Sequence, residues 1–143
     1  MKLADAQARY PGSIGFRYGD SPTLNAEILA LVRAGDKTVT CDAVASFEAR
    51  GEPLPEAGRI DIATDWDGAP QLALRKLEVM RIPFDGMTED LVRPQGEFRD
   101  LAQWRAGYEA YLTRAGAFAP DVPLLVERFE VVEDFAAGGT GGG

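Results

Sequence analysis

The chain has 143 residues, 45% of them hydrophobic and 27% charged, which is the size and make-up of one packed domain rather than a disordered segment. It holds no histidine and a single cysteine, Cys41. That excludes imidazole catalysis, histidine-bound zinc, an intrachain disulfide and a cysteine metal cage, and it fits a cytoplasmic setting. With 15 basic against 23 acidic residues and a net charge of −8, the protein is a poor generic binder of nucleic acid phosphates.

No apolar run approaches the roughly 20 residues a membrane helix needs, and Met1-Lys2-Leu3-Ala4-Asp5 does not open a secretory signal. In chain order, Ser21-Pro22-Thr23 predicts a helix start, with Ser21 as cap and Pro22 in the first helical position. Leu24, Ile28, Leu31 and Val32 keep helical spacing, and Gly35 stands where a left-handed cap is wanted. A shorter helix is expected with Asp42 as its cap, Val44 and Phe47 facing inward, and its end at Gly51. Glu52-Pro53-Leu54-Pro55 then forms a rigid extended connector.

The middle reads as β structure. Arg59-Ile60-Asp61-Ile62 alternates, Asp67-Gly68 signals a hairpin turn, and Leu72 and Leu74 alternate on the return. After Arg75-Lys76 the apolar phase slips by one, to Leu77 and Val79, as at a bulge in a curling sheet. Asp100-Leu101-Ala102-Gln103 starts another helix, with Leu101, Trp104, Tyr108, Tyr111 and Leu112 on one face and an end near Gly116. The last element, Val122 to Val132, is β-rich. This order is α+β, with no Rossmann or P-loop motif. The expected domain is 1–134, followed by a flexible glycine-rich tail at 135–143.

Without histidine, a catalytic base must be a carboxylate or a lysine, and a nucleophile a hydroxyl, the one thiol or water. Gly35-Asp36-Lys37-Thr38-Val39-Thr40-Cys41 supplies a lysine and two hydroxyls within a few residues of a helix end. In a turn, Lys37 and Thr40 come together; in a strand, Thr38 and Thr40 share a face. Glu78 sits between Leu77 and Val79, on the face shared with Met80 and Ile82, where a carboxylate is either paired or poised, or else turned to solvent. Glu127 and Arg128 point to opposite faces of a strand, so structural ion pairing with other partners is their expected role. Cys41 reads as a small buried residue, and Trp104, Tyr108 and Tyr111 as core first and a base-stacking platform second.

These residues together resemble the ASCH domain family, which shares its fold with PUA-like β-barrels associated with RNA. The likeness runs through Gly19-Asp20-Ser21-Pro22, the helix to Gly35, Lys37-Thr38-Val39-Thr40-Cys41, Gly51-Glu52-Pro53-Leu54-Pro55, Gly58, Ile82-Pro83-Phe84-Asp85, Trp104-Arg105 and Glu127-Arg128-Phe129. It implies a PUA-like mixed β-barrel flanked by helices. It also implies a polar cleft for a nucleoside-like ligand or RNA, and hydrolysis of the amide of N4-acetylcytidine. Small family members do this with a lysine, a threonine three residues later and a glutamate on a following strand. Those positions match Lys37, Thr40 and Glu78, with Lys37 activating Thr40 as nucleophile and Glu78 donating the proton. Thr38, Arg75, Arg128 and Tyr108 are the accompanying ligand-binding candidates.

The alternatives are a non-catalytic RNA-binding module and a ribonuclease. The first predicts Arg17, Arg33, Lys37, Arg75, Lys76 and Arg81 clustered on one face; the second uses Lys37 with Arg75 or Arg128 at a phosphate. No cofactor and no metal are expected, although Asp65 and Asp67 lie close together.

Overall fold

The computed structural model describes residues 1–136. The helix predicted after Ser21 is present as α2 (Pro22–Ala34), capped by Ser21 Oγ, which accepts from the Leu24 amide at 3.2 Å, and closed by Gly35 at φ 83°. Before it lie α1 (Leu3–Arg9) and β1 (Gly15–Arg17); after it come β2 (Val39–Ala43) and α3 (Val44–Ala49). The hairpin is β3 (Ile60–Thr64) and the long β4 (Pro70–Pro83). A short α4 (Glu89–Val92), α5 (Leu101–Arg114) and β5 (Pro123–Asp134) complete the chain order.

The five strands form one curved half-barrel sheet in the order β1-β3-β4-β5-β2. Only β1 with β3 is parallel. The phase slip after Lys76 is a bulge: Lys76 pairs with Phe129 and Glu78 with Arg128, leaving Leu77 without a partner. Before the bulge, Leu72, Leu74 and Lys76 share a face with Ala63, Asp61 and Phe129; after it, Glu78, Met80 and Ile82 turn to the other side.

Helix α2 covers one end of the first face, packing Ile28, Leu29 and Val32 on Ala63, Leu72, Leu74 and Phe129. At the other end of that face the side chains are polar. Helix α5 packs on the opposite face, where the fully buried Trp104 and Leu112 meet Val39, Cys41, Leu124 and Val126. Its start is capped as expected by Asp100, whose Oδ1 accepts from the Gln103 amide at 2.8 Å. Truncating a core aromatic such as Trp104 to alanine costs about 3–5 kcal/mol.

Three expectations need correction. Asp42 is not a helix cap: it lies in β2, and its carboxylate is taken by Arg50 at 3.0 Å and by the Tyr111 hydroxyl. Phe47 is half-buried rather than inward, with the Arg50 guanidinium 4.9 Å above its ring. Phe135 belongs to the packed body, 9% exposed against Ala6, Ile62 and Ala73, because an aromatic ring gains more from burial than its ordering costs. Residues 137–143 of the expected tail lie outside the described residues.

Candidate functional site

A cleft of about 980 Å³ opens where the polar end of the first sheet face meets β2, the connector after α3 and the loop before α5. Phe16, Tyr18, Phe47, Trp66, Phe98 and Tyr108 supply aromatic walls. Thr40 lines it from β2, half-buried, and its hydroxyl makes no hydrogen bond to a described residue. Directly across the ladder from Thr40 stands Glu127, so the two side chains share a face.

Lys37 is 1% exposed and lies behind the cleft wall. Its Nζ donates to Val39 O at 2.9 Å, Gln95 O at 3.2 Å and Glu97 Oε2 at 2.8 Å, so each of its three protons has an acceptor. Glu97 itself reaches the cleft. It is carried by Gly96, whose φ of 73° and close approach to the Asp36 carbonyl leave no room for a side chain: a Cβ there would meet that oxygen at 2.5 Å. Asp36, exposed, contributes this backbone contact and no ion pair with a described residue.

A second buried charge cluster lies on the same wall. Lys76, 4% exposed, is held 2.6 Å from Glu127 Oε1 and 4.0 Å from Asp61 Oδ2, and sits 5.1 Å over the Phe16 ring. Asp61 in turn accepts both Arg59 Nε and the second guanidinium nitrogen, at 2.9 and 2.8 Å, as well as the Ile14 amide.

The remaining candidates divide cleanly. Tyr108 lines the cleft, stacks on Trp104 at 5.0 Å and donates to Cys41 O at 2.8 Å. Burial pushes its phenol well up, helped by the neighbouring Cys41. The structure does not bring Glu78 to Lys37 and Thr40. It is half-exposed on the opposite sheet face, 3.6 Å from Arg128, because the bulge turns it away from Lys76 and because Arg128 alternates with Glu127. Arg75 is also outside the cleft, paired with Glu130 at 3.1 Å, and so is Thr38, which is exposed although its neighbour Lys37 is buried. Sequence reasoning missed Glu97, Asp61 and Tyr18. A lysine in phase with Leu72 and Leu74 was the one available sign of Lys76's burial.

Cys41 is a buried free thiol, pushed up to about 12 by burial, which leaves it unsuited to nucleophilic attack. Asp65 is accounted for by the hairpin turn, accepting from the Asp67 and Ala69 amides at 3.0 and 2.9 Å. Among the described residues no group of three or more carboxylates and thiols is placed to hold a metal, and no helix is long and apolar enough to cross a membrane.

The sequence from β1 through nearly all of β5 matches one family model: the ASCH domain model covers residues 15–133. The chain belongs to the ASCH domain family. The fold is also that of solved structures. The ASCH domain from Lactobacillus crispatus JV V101 matches with a TM-score of 0.72 at 23% identity, covering 90% of this chain and 84% of that one. A protein from Enterococcus faecalis V583 matches with a TM-score of 0.77 at 25% identity, covering 97% and 90%. Comparison with curated proteins returns no match.

Proposed function

We propose that this ASCH domain binds a nucleoside-like ligand in the cleft and hydrolyses the amide of an N4-acylated cytidine, using Thr40, Glu97 and Lys37. The observation that carries the reading is the pair of buried Lys37 with half-buried Glu97 at 2.8 Å, with Glu97 and Thr40, whose hydroxyl has no partner among the described residues, lining one aromatic-walled cleft. Glu97 takes the place that the family resemblance offered to Glu78, since it is the carboxylate Lys37 holds.

The chemistry follows from the donors available. Thr40 Oγ attacks the acyl carbon while its proton passes to the Glu97 carboxylate. As the C–N bond breaks, Glu97 returns that proton to the departing N4 amine, leaving an acyl-Thr40 ester. Water then attacks the ester, giving its proton to Glu97 and thence to Thr40 Oγ, which restores the enzyme. Lys37 does not reach the cleft surface, so it works through Glu97, fixing its orientation and charge.

Electrostatics favour a nucleoside over RNA. Eight carboxylates and five cations line the cleft. Four of those cations already have acidic partners: Arg50, Arg59, Lys76 and Arg114. The fifth, Arg17, lies 4.0 Å over the Trp66 ring. Of the six cations an RNA face would use, Lys37 and Lys76 are buried, and Arg33 and Arg75 are paired with Asp134 and Glu130.

The test is turnover of N4-acetylcytidine by wild type and by Thr40→Ala, Glu97→Gln and Glu78→Gln, with folding checked by circular dichroism. Loss of about 10²-fold or more in kcat/KM is expected for the first two, and a change within about twofold for Glu78→Gln at its exposed, opposite-face position. Full activity in Thr40→Ala, or no turnover by wild type, would overturn the hydrolase reading.

A further inference from the structure

Three buried polar groups on one wall of the cleft keep hydrogen-bonding capacity that the protein does not use. Tyr18 is 6% exposed, and its hydroxyl has no hydrogen-bond partner among the described residues. Glu127, 4% exposed, has its Oε1 2.6 Å from Lys76 Nζ, a charge-assisted contact, while its Oε2 has no hydrogen-bond partner among the described residues. Lys76 Nζ spends one proton on that contact, and with Asp61 as far as 4.0 Å it keeps donor capacity that no described residue takes up. Buried polar groups are nearly always satisfied, so three neighbours with hydrogen-bonding capacity to spare on the wall of a cleft mark a surface fitted to read a polar ligand.

We infer that Tyr18, Lys76 and Glu127 form the subsite that holds the hydrogen-bonding edge of a planar, uncharged heterocycle, the base of the nucleoside. The inference rests on the cleft being the ligand site proposed above, and adds which wall reads the ligand and what that wall accepts. Tyr18 and Lys76 offer donors and Glu127 an acceptor. A pyrimidine edge presents two acceptors and one donor, the matching set, whereas the corresponding edge of adenine presents one of each. Burial, with Glu127 and Glu97 nearby, pushes the Tyr18 phenol well above its ordinary value, which keeps it a donor at neutral pH. The charges of the wall already balance, Lys76 against Glu127 and Arg59 against Asp61, so an anionic ligand would find no free counter-charge there. The position is productive for the reaction, because Glu127 lies directly opposite Thr40.

Tyr18→Phe isolates the idea, since it removes a hydroxyl that makes no bond within the protein and leaves the ring in place. Cytidine, uridine and adenosine are titrated calorimetrically into wild type and Tyr18→Phe, with melting temperatures and the KM for N4-acetylcytidine measured on the same samples. The expected result is that a pyrimidine nucleoside binds wild type more tightly than adenosine does. Tyr18→Phe then weakens it about tenfold, raises KM more than it lowers kcat, and keeps or raises the melting temperature. Equal pyrimidine binding by wild type and Tyr18→Phe, or no pyrimidine binding by wild type, would overturn the subsite. Turnover with a KM that Tyr18→Phe leaves unmoved removes the subsite and leaves the hydrolase. Tyr18-dependent pyrimidine binding without turnover establishes the subsite and removes the hydrolase.

Discussion

Lys37 and Lys76, residues of a type that normally faces water, are 1% and 4% exposed here, and each is held by a carboxylate. Removing one partner of such a pair leaves the other charge desolvated. Lys37→Met is therefore expected to cost about 3 kcal/mol in urea unfolding. Arg128→Ala, which breaks the half-exposed pair with Glu78 at 3.6 Å, should change stability by no more than about 0.5 kcal/mol. Titration gives an independent check. Tyr10, Tyr18, Tyr108 and Tyr111 all have phenols raised above the ordinary 10.0, with Tyr111 at about 12 through burial and the Asp42 carboxylate. A raised phenol means that the fold favours the protonated form. Its contribution to stability is thus complete below pH 10 and is lost as pH climbs toward 12. The urea midpoint should fall across that window, with tyrosinate absorbance at 295 nm appearing together with unfolding. The site was half legible at this scale. Lys37 and Thr40 stand out by type and spacing, but Glu97 follows a glycine in a loop with no period to mark it, and only the fold brings it to Lys37.

At the scale of elements, local chemistry was readable wherever the side chain that decides the geometry is adjacent in sequence. Ser21 and Asp100 both cap the helices they precede, each accepting from the amide three residues on. Ser21→Ala should lower stability by about 1 kcal/mol in thermal unfolding. The bulge at Leu77 was visible as a phase slip, yet its effect on Glu78 depends on β4 pairing with β5, a register no local pattern states. The first helix and β1 escaped notice because seven and three residues are too few to show a period. The loop before α5 has its own test. Gly96→Ala places a Cβ 2.5 Å from Asp36 O at a left-handed φ. It should cost at least about 1–2 kcal/mol and displace Glu97, so kcat for N4-acetylcytidine should fall while Gly35→Ala, in open space, leaves kcat unchanged.

For the molecule as a whole, net charge −8 and a cleft whose cations are mostly paired point the same way. Adding a 5′-phosphate to cytidine should not improve affinity, and cytidine monophosphate should bind no more tightly than cytidine by calorimetry at 150 mM salt. A phosphate-driven gain that vanishes at high salt would argue for a nucleotide or RNA ligand instead. Fold class was legible from the order of elements, because helices and strands fail to alternate as a parallel sheet requires. The mixed, helix-flanked barrel expected from family likeness is present as a five-stranded half-barrel, with β1 and β2 as its two edges.

That strand order also sets a sequence of events in time. Among the described strands β2, which carries Thr40, pairs only with β5, so residue 40 waits for residues 124–128 before its ladder exists. Asp61 and Lys76 can meet in the early hairpin, but Glu127 arrives only with the final strand. During synthesis the central hairpin can therefore form well before the cleft wall that joins Thr40 to Glu127, and the last strand completes the sheet and the cleft together.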